Sequence, residues 1–364
     1  MKTYELALHR NYVSSWRLAE AFRELMQNSL DNPGGFKFEV SDGFPATVTL
    51  TSFKTEIPVR ALLLGYTTKE QDKDAIGQFG EGLKLALLVL KREGFNVKIA
   101  TREVIWFPDF KTSEDFGEET LVISEYYSDS SEPAENVVIN ISNLSVENLE
   151  TIKDTCLFLR KEAYYGEKLT TPFGDIYTSL KGKLFVGGLF VCETENTYSY
   201  DIKPEFLQLD RDRQTVSYWK LSEITARMWE SLEIKTKLAE GVASGAADFS
   251  YFQYWRPESV VEACVEHFWK EEGMAALPVD SGEDFEFLSS KKAVKPVFIK
   301  EPIYAGLLKA ASDFMKKLTS LKKALSPEAV LKKFFKENEE IMSEDLKKNF
   351  RRLIKQVKAE SWKN

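Results

Sequence analysis

Three glycines, at 77, 80 and 82, open the run IGQFGEGLKLALLVL (residues 76–90), and no other feature of the 364-residue chain restricts its fold as much. Glycine permits positive φ and a close approach of backbone to a neighbour, and a helix starting there presents unpaired N–H groups to an anion. The segment 83–93 is apolar nearly all round until Gly94 stops it, which predicts a helix covered on every side. Covering it takes a sheet, and β-rich runs supply one. Ala46–Ser52 comes first, then FNVKIAT, EVIWF, ETLVISEYY and NVVINIS between 95 and 143, with a helix expected over 145–159. Helices on a sheet over about 160 residues make an α/β sandwich.

A second helix is predicted over 14–32, capped by Ser14 or Ser15 and stopped by Asn32-Pro33-Gly34-Gly35. At about 100° per residue, Leu18, Phe22, Leu25, Met26 and Ser29 share one side. Glu24, Asn28 and Asp31, spaced i, i+4, i+7, line the other. Alone, such a face reads as solvated surface; beside a glycine-rich phosphate cradle it reads as chemistry. Lys69 and Lys84 add cations near the cradle. No Gly-Lys-Ser/Thr ends the loop, so it is not a Walker motif, and no protein-kinase motif set is present.

RELMQNSLDN, followed about 50 residues later by LLLGYTTK and IGQFGEGLK, resembles the GHKL ATPases of the Bergerat nucleotide fold over about residues 14–145. That superfamily includes gyrase, a class of heat-shock chaperones, mismatch-repair and microrchidia ATPases and histidine kinases. The resemblance implies a two-layer Bergerat-type α/β sandwich that binds ATP and Mg2+. Glu24 would be the general base that activates water, Asn28 would coordinate Mg2+, and Asp31 would support the nucleotide or its water network. Gly77, Gly80 and Gly82 would let a lid wrap the phosphates, and Lys84 or Lys69 would neutralise their charge. Lid closure over 66–82 commonly drives dimerisation in this superfamily, which implies a nucleotide-dependent homodimer.

One departure concerns the base. The family's Asp-x-Gly-x-Gly motif is replaced by SFKTEIP, residues 52–58, leaving Ser52 at the adenine-facing position and Glu56 where the second glycine would stand. A non-catalytic, nucleotide-gated binding or inhibitor protein with a degenerate adenine site is the alternative.

Further on, KLFVGGLFV and FLQLDRDRQTV are similar to the middle-domain pattern of the heat-shock chaperones, which makes that stretch a transducer-like α/β domain. By that likeness Arg213, with Arg211 a near alternative, reaches the γ-phosphate. A surface Asp-Arg-Asp-Arg ion-pair ladder is the simpler reading of the same residues. Helices are expected over 218–240 and 257–272, a loop with a turn over 282–295, a strand at KPVFI, and Lys-rich helix from about 303, with a new start at Pro327. The expected organisation is 1–160, 161–300 and 301–364. A compact chain of this kind has a looser likeness to small stand-alone superfamily members encoded by bacteriophages.

Charge separates the last part from the rest. Lys plus Arg number 49 against 57 Asp plus Glu, a formal −8, yet residues 301–364 carry a net +6 and the first 300 a net −14. The balance argues against a surface that grips nucleic acid as a whole. In the tail, Leu346, Phe350, Leu353, Ile354 and Val357 recur at helical spacing opposite a basic face. That face is expected to hold the acidic body, another copy, or a nucleic acid; the last would make the protein a nucleic-acid-dependent ATPase. Three widely spaced cysteines, with only His9 and His267, support neither a disulfide framework nor a zinc site. The longest apolar run, 85–90, is far short of the roughly 20 residues of a membrane span. A cytoplasmic protein with no membrane partner is expected.

Overall fold

The computed structural model describes residues 1–63, 81–114, 117–127, 135–207, 216–279, 281–289, 294–311, 314, 316 and 327–360. By internal contacts the chain divides into Met1–Met228 and Trp229–Asn364. The expected boundaries near 160 and 300 both fall inside these units.

The first unit is built on a seven-stranded sheet of order β1-β6-β5-β4-β7-β3-β2. Its strands are β1 (Lys2–His9), β2 (Phe36–Val40), β3 (Ala46–Ser52), β4 (Asn96–Thr101), β5 (Val104–Thr112), β6 (Glu119–Tyr127) and β7 (Val137–Leu144). Every neighbouring pair is antiparallel. Successive side chains in a strand point to opposite faces. One face therefore collects Val48 and Leu50 of β3, Val97 and Ile99 of β4, Leu121 and Ile123 of β6, and Ile139 and Ile141 of β7, all buried.

Three helices cover that face: α1 (Leu18–Leu30), α2 (Gly82–Arg92) and α3 (Val146–Asp154). Residues 85–90 of α2 are all buried, as the unbroken apolar run predicts. From α1, Leu18, Phe22, Leu25 and Met26 enter the same core, and Phe22 meets Phe38 of β2 edge-on with ring centroids 6.1 Å apart. This is the expected two-layer α/β sandwich.

Two local features depart from expectation. Helix α1 starts at Leu18 rather than at the serines, because the Arg17 N–H donates to Glu20 Oε2 at 2.8 Å. The preceding turn is held instead by Arg92 in the last turn of α2. Its guanidinium donates to the carbonyls of Arg10, Tyr12, Val13 and Trp16 at 2.8–3.3 Å. Strand β1 was also not foreseen, although Tyr4, Leu6 and Leu8 alternate as an edge strand should.

A smaller sheet follows, of order β11-β10-β12-β9-β8. It comprises β8 (Lys168–Thr171), β9 (Gly174–Tyr177), β10 (Lys183–Val186), β11 (Leu189–Glu193) and β12 (Ser199–Ile202), antiparallel except for β10 with β12. Gly187 and Gly188, both at positive φ, make the two-residue turn between β10 and β11. A Cβ on Gly188 would come within 2.9 Å of Cζ of the Phe158 ring. The Leu157 N–H donates to the Gly188 carbonyl at 2.8 Å and the Phe190 N–H to that of Thr155 at 3.0 Å, stitching this sheet to the end of α3.

In the expected 218–240 run the chain forms two helices, α4 (Tyr218–Glu230) and α5 (Lys235–Ala243). The second unit continues with α6 (Glu258–Glu272), β13 (Ala276–Val279), α7 (Gly282–Ser289), β14 (Lys295–Phe298), α8 (Pro302–Ala310), α9 (Pro327–Asn338) and α10 (Glu344–Glu360). β13 and β14 pair in parallel, so a helical crossover replaces the loop expected over 282–295. Its start is legible afterwards: Ser281 Oγ accepts from the Asp284 N–H at 3.2 Å, and Glu283 and Asp284 favour the first turn. In the aromatic segment after α5, Phe249 and Phe252 are buried and Phe252 stacks on Trp255, while Tyr254 is exposed. The C-terminal helices pack through Phe350, whose ring lies 5.5 Å from Phe334 and 6.3 Å from Phe335.

Candidate functional site

Helix α1 carries Glu24, Asn28 and Asp31 along one side, and the structure gives each a different environment. Glu24 is only 6% exposed, Asp31 is half-buried and Asn28 is exposed. The burial of Glu24 has a definite cause. The first residue of α2, Gly82, packs directly on its side chain, and a Cβ built on Gly82 would lie 3.2 Å from Glu24 Cδ and in collision with Oε2. Only the absence of a side chain at 82 lets the head of α2 and the carboxylate of α1 occupy this space. The end of the glycine-rich run and the acidic helix, more than 50 residues apart in sequence, thus meet at Glu24 and Gly82.

The far end of α1 is tied to the end of β3. Asn32 Nδ2 donates to the carbonyls of Gly35 at 3.0 Å and Phe53 at 2.9 Å. One turn earlier, Ser29 Oγ lies 2.9 Å from Ser52 Oγ, both buried, and donates to the Leu25 carbonyl at 3.2 Å. A hydroxyl has one proton. With the Ser29 proton on Leu25, Ser52 donates to Ser29 and its Oγ accepts from any third group; with it on Ser52, the Ser52 proton is free. Glu56 does not face this pair; it forms a two-pronged ion pair with Arg102.

Lys84 sits two residues into α2 and is 1% exposed. Its Nζ donates to the carbonyls of Ala61 at 2.9 Å and Leu63 at 2.8 Å. Burial pushes its pKa below the usual lysine value, and Glu81 nearby opposes the shift. Its ammonium thus sits on the carbonyls of a 3-10 turn, Val59–Leu62, with which sequence reasoning did not associate it. Lys69, Gly77, Gly80, Arg211 and Arg213 lie outside the described residues, as does most of the 66–82 segment.

Sequence reasoning missed two further polar side chains of α1, Arg23 and Gln27, which are buried although the helical wheel puts them away from the sheet. Helix α1 is flanked by α2 and α3 and also touches β11, so more than its apolar stripe is covered. Gln27 Oε1 has no hydrogen-bond partner among the described residues. Their i, i+4 spacing puts them on one side of the helix but carries no signal of burial, since Glu24 and Asn28 have the same spacing and unequal exposure.

No cluster of three or more His, Cys, Asp and Glu able to hold a metal occurs among the described residues. A concavity of about 810 Å3 opens elsewhere, on the side of the large sheet away from the helices. Phe107, Tyr126, Asn140 and Lys98 line it, and Glu24 does not. Cys156 and Cys264 are buried thiols, each pushed up to about 12 by desolvation. Among the described residues no helix is long and apolar enough to cross a membrane.

No family model matches the chain. An uncharacterised protein of Mycoplasma pneumoniae is 28% identical over 221 residues, covering 57% of this chain and 89% of that protein. A solved structure of the ATPase and transducer domains of DNA topoisomerase II from Balamuthia mandrillaris aligns over 72% of this chain and 76% of its own, with 12% identity and a TM-score of 0.33.

Proposed function

We propose that residues 1–160 form a GHKL-type, Bergerat-fold domain that binds ATP with Mg2+ and slowly hydrolyses it to ADP and inorganic phosphate. The observation that carries the reading is the meeting of Glu24 with Gly82, which joins the acidic helix to the end of the glycine-rich run. The superfamily resemblance assigns catalysis to these two motifs, and a helix start beside a carboxylate suits phosphoryl chemistry.

Glu24 accepts the proton of the attacking water as the new bond to the γ-phosphorus forms and the β–γ bridging oxygen leaves on ADP. Its burial shields it from competing solvent. Asn28, exposed and carrying a hard carboxamide oxygen, fits Mg2+, an ion commonly held by one or two protein ligands plus substrate phosphates. That ion supplies charge neutralisation on the phosphates. Asp31 supports the water network one turn along. Gly77, Gly80 and Gly82 let backbone N–H groups approach the phosphates, Lys69 adds charge, and Lys84 braces the start of α2 by holding Ala61 and Leu63. Arg213, or Arg211 beside it, completes the charge stabilisation from the transducer-like segment. Nucleotide-dependent closure and homodimerisation belong to the same proposal and are read by sedimentation with and without ATP.

Ser52 favours a second reading in which nucleotide binds but is not turned over. It is a hydroxyl where the family has a carboxylate, and it shares a hydrogen bond with Ser29. Glu24→Gln, which keeps shape and removes the base, separates the two. On the catalytic reading phosphate release falls at least about 100-fold while calorimetric ATP affinity stays within a few-fold. Wild-type protein that binds ATP without releasing phosphate establishes the second reading, and unchanged turnover in the variant overturns the mechanism.

A further inference from the structure

Helix α10 (Glu344–Glu360) separates its side chains into three arcs. At about 100° per residue Leu346, Phe350, Leu353, Ile354 and Val357 share one side, through which Phe350 packs on Phe334 and Phe335. On one flank Lys347 and Arg351 meet carboxylates: Lys347 Nζ lies 2.8 Å from Glu344 and Arg351 2.9 Å from Glu339. The third arc holds Lys348, Arg352 and Lys355, spaced i, i+4, i+7 and centred about 180° from the apolar side. All three are exposed, and none is ion-paired among the described residues. In the sequence no acid occurs between Asp345 and Glu360.

We propose that this stripe docks the phosphodiester backbone of double-stranded nucleic acid. Charge complementarity selects the partner. A protein interface is held chiefly by buried aromatic and apolar anchors, and this arc offers only Ala359, Gln356 and Asn349 beside its cations, with Glu344 and Asp345 confined to the helix's first turn. A duplex carries one negative charge per about 1.7 Å of its axis and is gripped by cations alone through counterion release. The stripe runs about 10 Å along the helix, with steps of about 6 and 4.5 Å. Its contacts are to backbone, so binding is independent of base sequence. The proposal does not depend on the nucleotide reading.

The test uses the full chain and a labelled 20-base-pair duplex, read by anisotropy over a salt series. Three phosphate contacts give log K against log salt a slope of about −2.7, or about forty-fold weaker binding for a fourfold rise in salt. The triple variant Lys348→Gln, Arg352→Gln, Lys355→Gln, on an exposed arc, keeps its circular dichroism and loses that binding. A variant losing three cations elsewhere, Lys37→Gln, Lys161→Gln, Lys181→Gln, keeps it. Absence of salt-dependent binding, a triple variant that binds like wild type, or equal loss in the control overturns the proposal. Poly-glutamate competing as well as unlabelled duplex overturns it in favour of an acidic protein partner, and a self-association lost in the triple variant overturns it in favour of a second copy.

Discussion

Glu24 of α1 and Gly82 of α2 are in direct contact, so close that residue 82 has no room for a side chain: its Cβ would stand 3.2 Å from the Glu24 carboxyl carbon. The atom in collision is the tip of a buried but rotatable side chain, so Gly82→Ala displaces the carboxylate rather than the backbone. The expected cost is about 1–2 kcal/mol in chemical denaturation. In a Glu24→Ala background the collision is gone, and alanine's better helix propensity makes Gly82→Ala stabilising by up to about 1 kcal/mol. A double-mutant cycle with this reversal of sign checks the contact, and additive effects contradict it.

Ser29 and Ser52 share a hydroxyl–hydroxyl hydrogen bond, and with the Ser29 proton on Leu25 the Ser52 Oγ is left accepting. An adenine amino group donates to such an oxygen; the 6-oxo group of guanine does not. On the nucleotide-binding proposal, Ser29→Ala leaves the Ser52 proton free, and a preference for ATP over GTP is expected to narrow about tenfold. Competitive titration with the two nucleotides measures it.

Lys84 has its pKa lowered by burial. Between that depressed value and 10.5, the unfolded chain binds more protons than the folded one, so stability rises with pH through this window. Below it, the cost of the buried charge is present in full. A neutral amine still donates to Ala61 and Leu63, whereas Lys84→Met cannot. The advantage of wild type over Lys84→Met is therefore expected to grow as pH increases toward 10.5, followed by urea denaturation at successive pH values.

Asp201 in β12 faces Asp175 across the β9 ladder. Burial raises its pKa from 3.8 to about 6, Asp175 adds to the rise, and the Gly188 N–H, 2.7 Å from Oδ1, opposes it. A raised carboxyl pKa means that the folded state holds the proton more tightly, so this group's stabilisation is lost as pH climbs from 3.8 through about 6. Asp201→Asn keeps an acceptor for Gly188 and removes the charge. It is expected to stabilise the protein at pH 7 by about 2–3 kcal/mol and by little at pH 3, measured by thermal or chemical unfolding.

The parts of the fold legible in the sequence were those with one dominant period. The apolar run of α2 and the alternation of β3 through β7 describe side chains that see a single environment each. The 282–289 helix was hidden because its signal is a cap and two acids, with few apolar positions. In the candidate site the positions of Glu24, Asn28 and Asp31 along one side of α1 could be read from spacing, but not their unequal burial. A helical wheel carries one partner, whereas α1 has α2 and α3 on its flanks. Nor could spacing reveal that Lys84 holds two carbonyls, because Ala61 and Leu63 are reached only through the tertiary fold.

Strand order adds a constraint on how the first unit is assembled. The two edges of the large sheet, β1 and β2, flank α1 in sequence, and β1 pairs with β6 through Lys2↔Glu125. During synthesis β1 therefore has no partner in this sheet until β6, more than 110 residues further along the chain, has been made. Contacts of such long sequence range form late and slow folding. Until then α1 and β1 expose apolar surface, and a change that weakens β1 uncovers the edge of β6 before it reaches the candidate site.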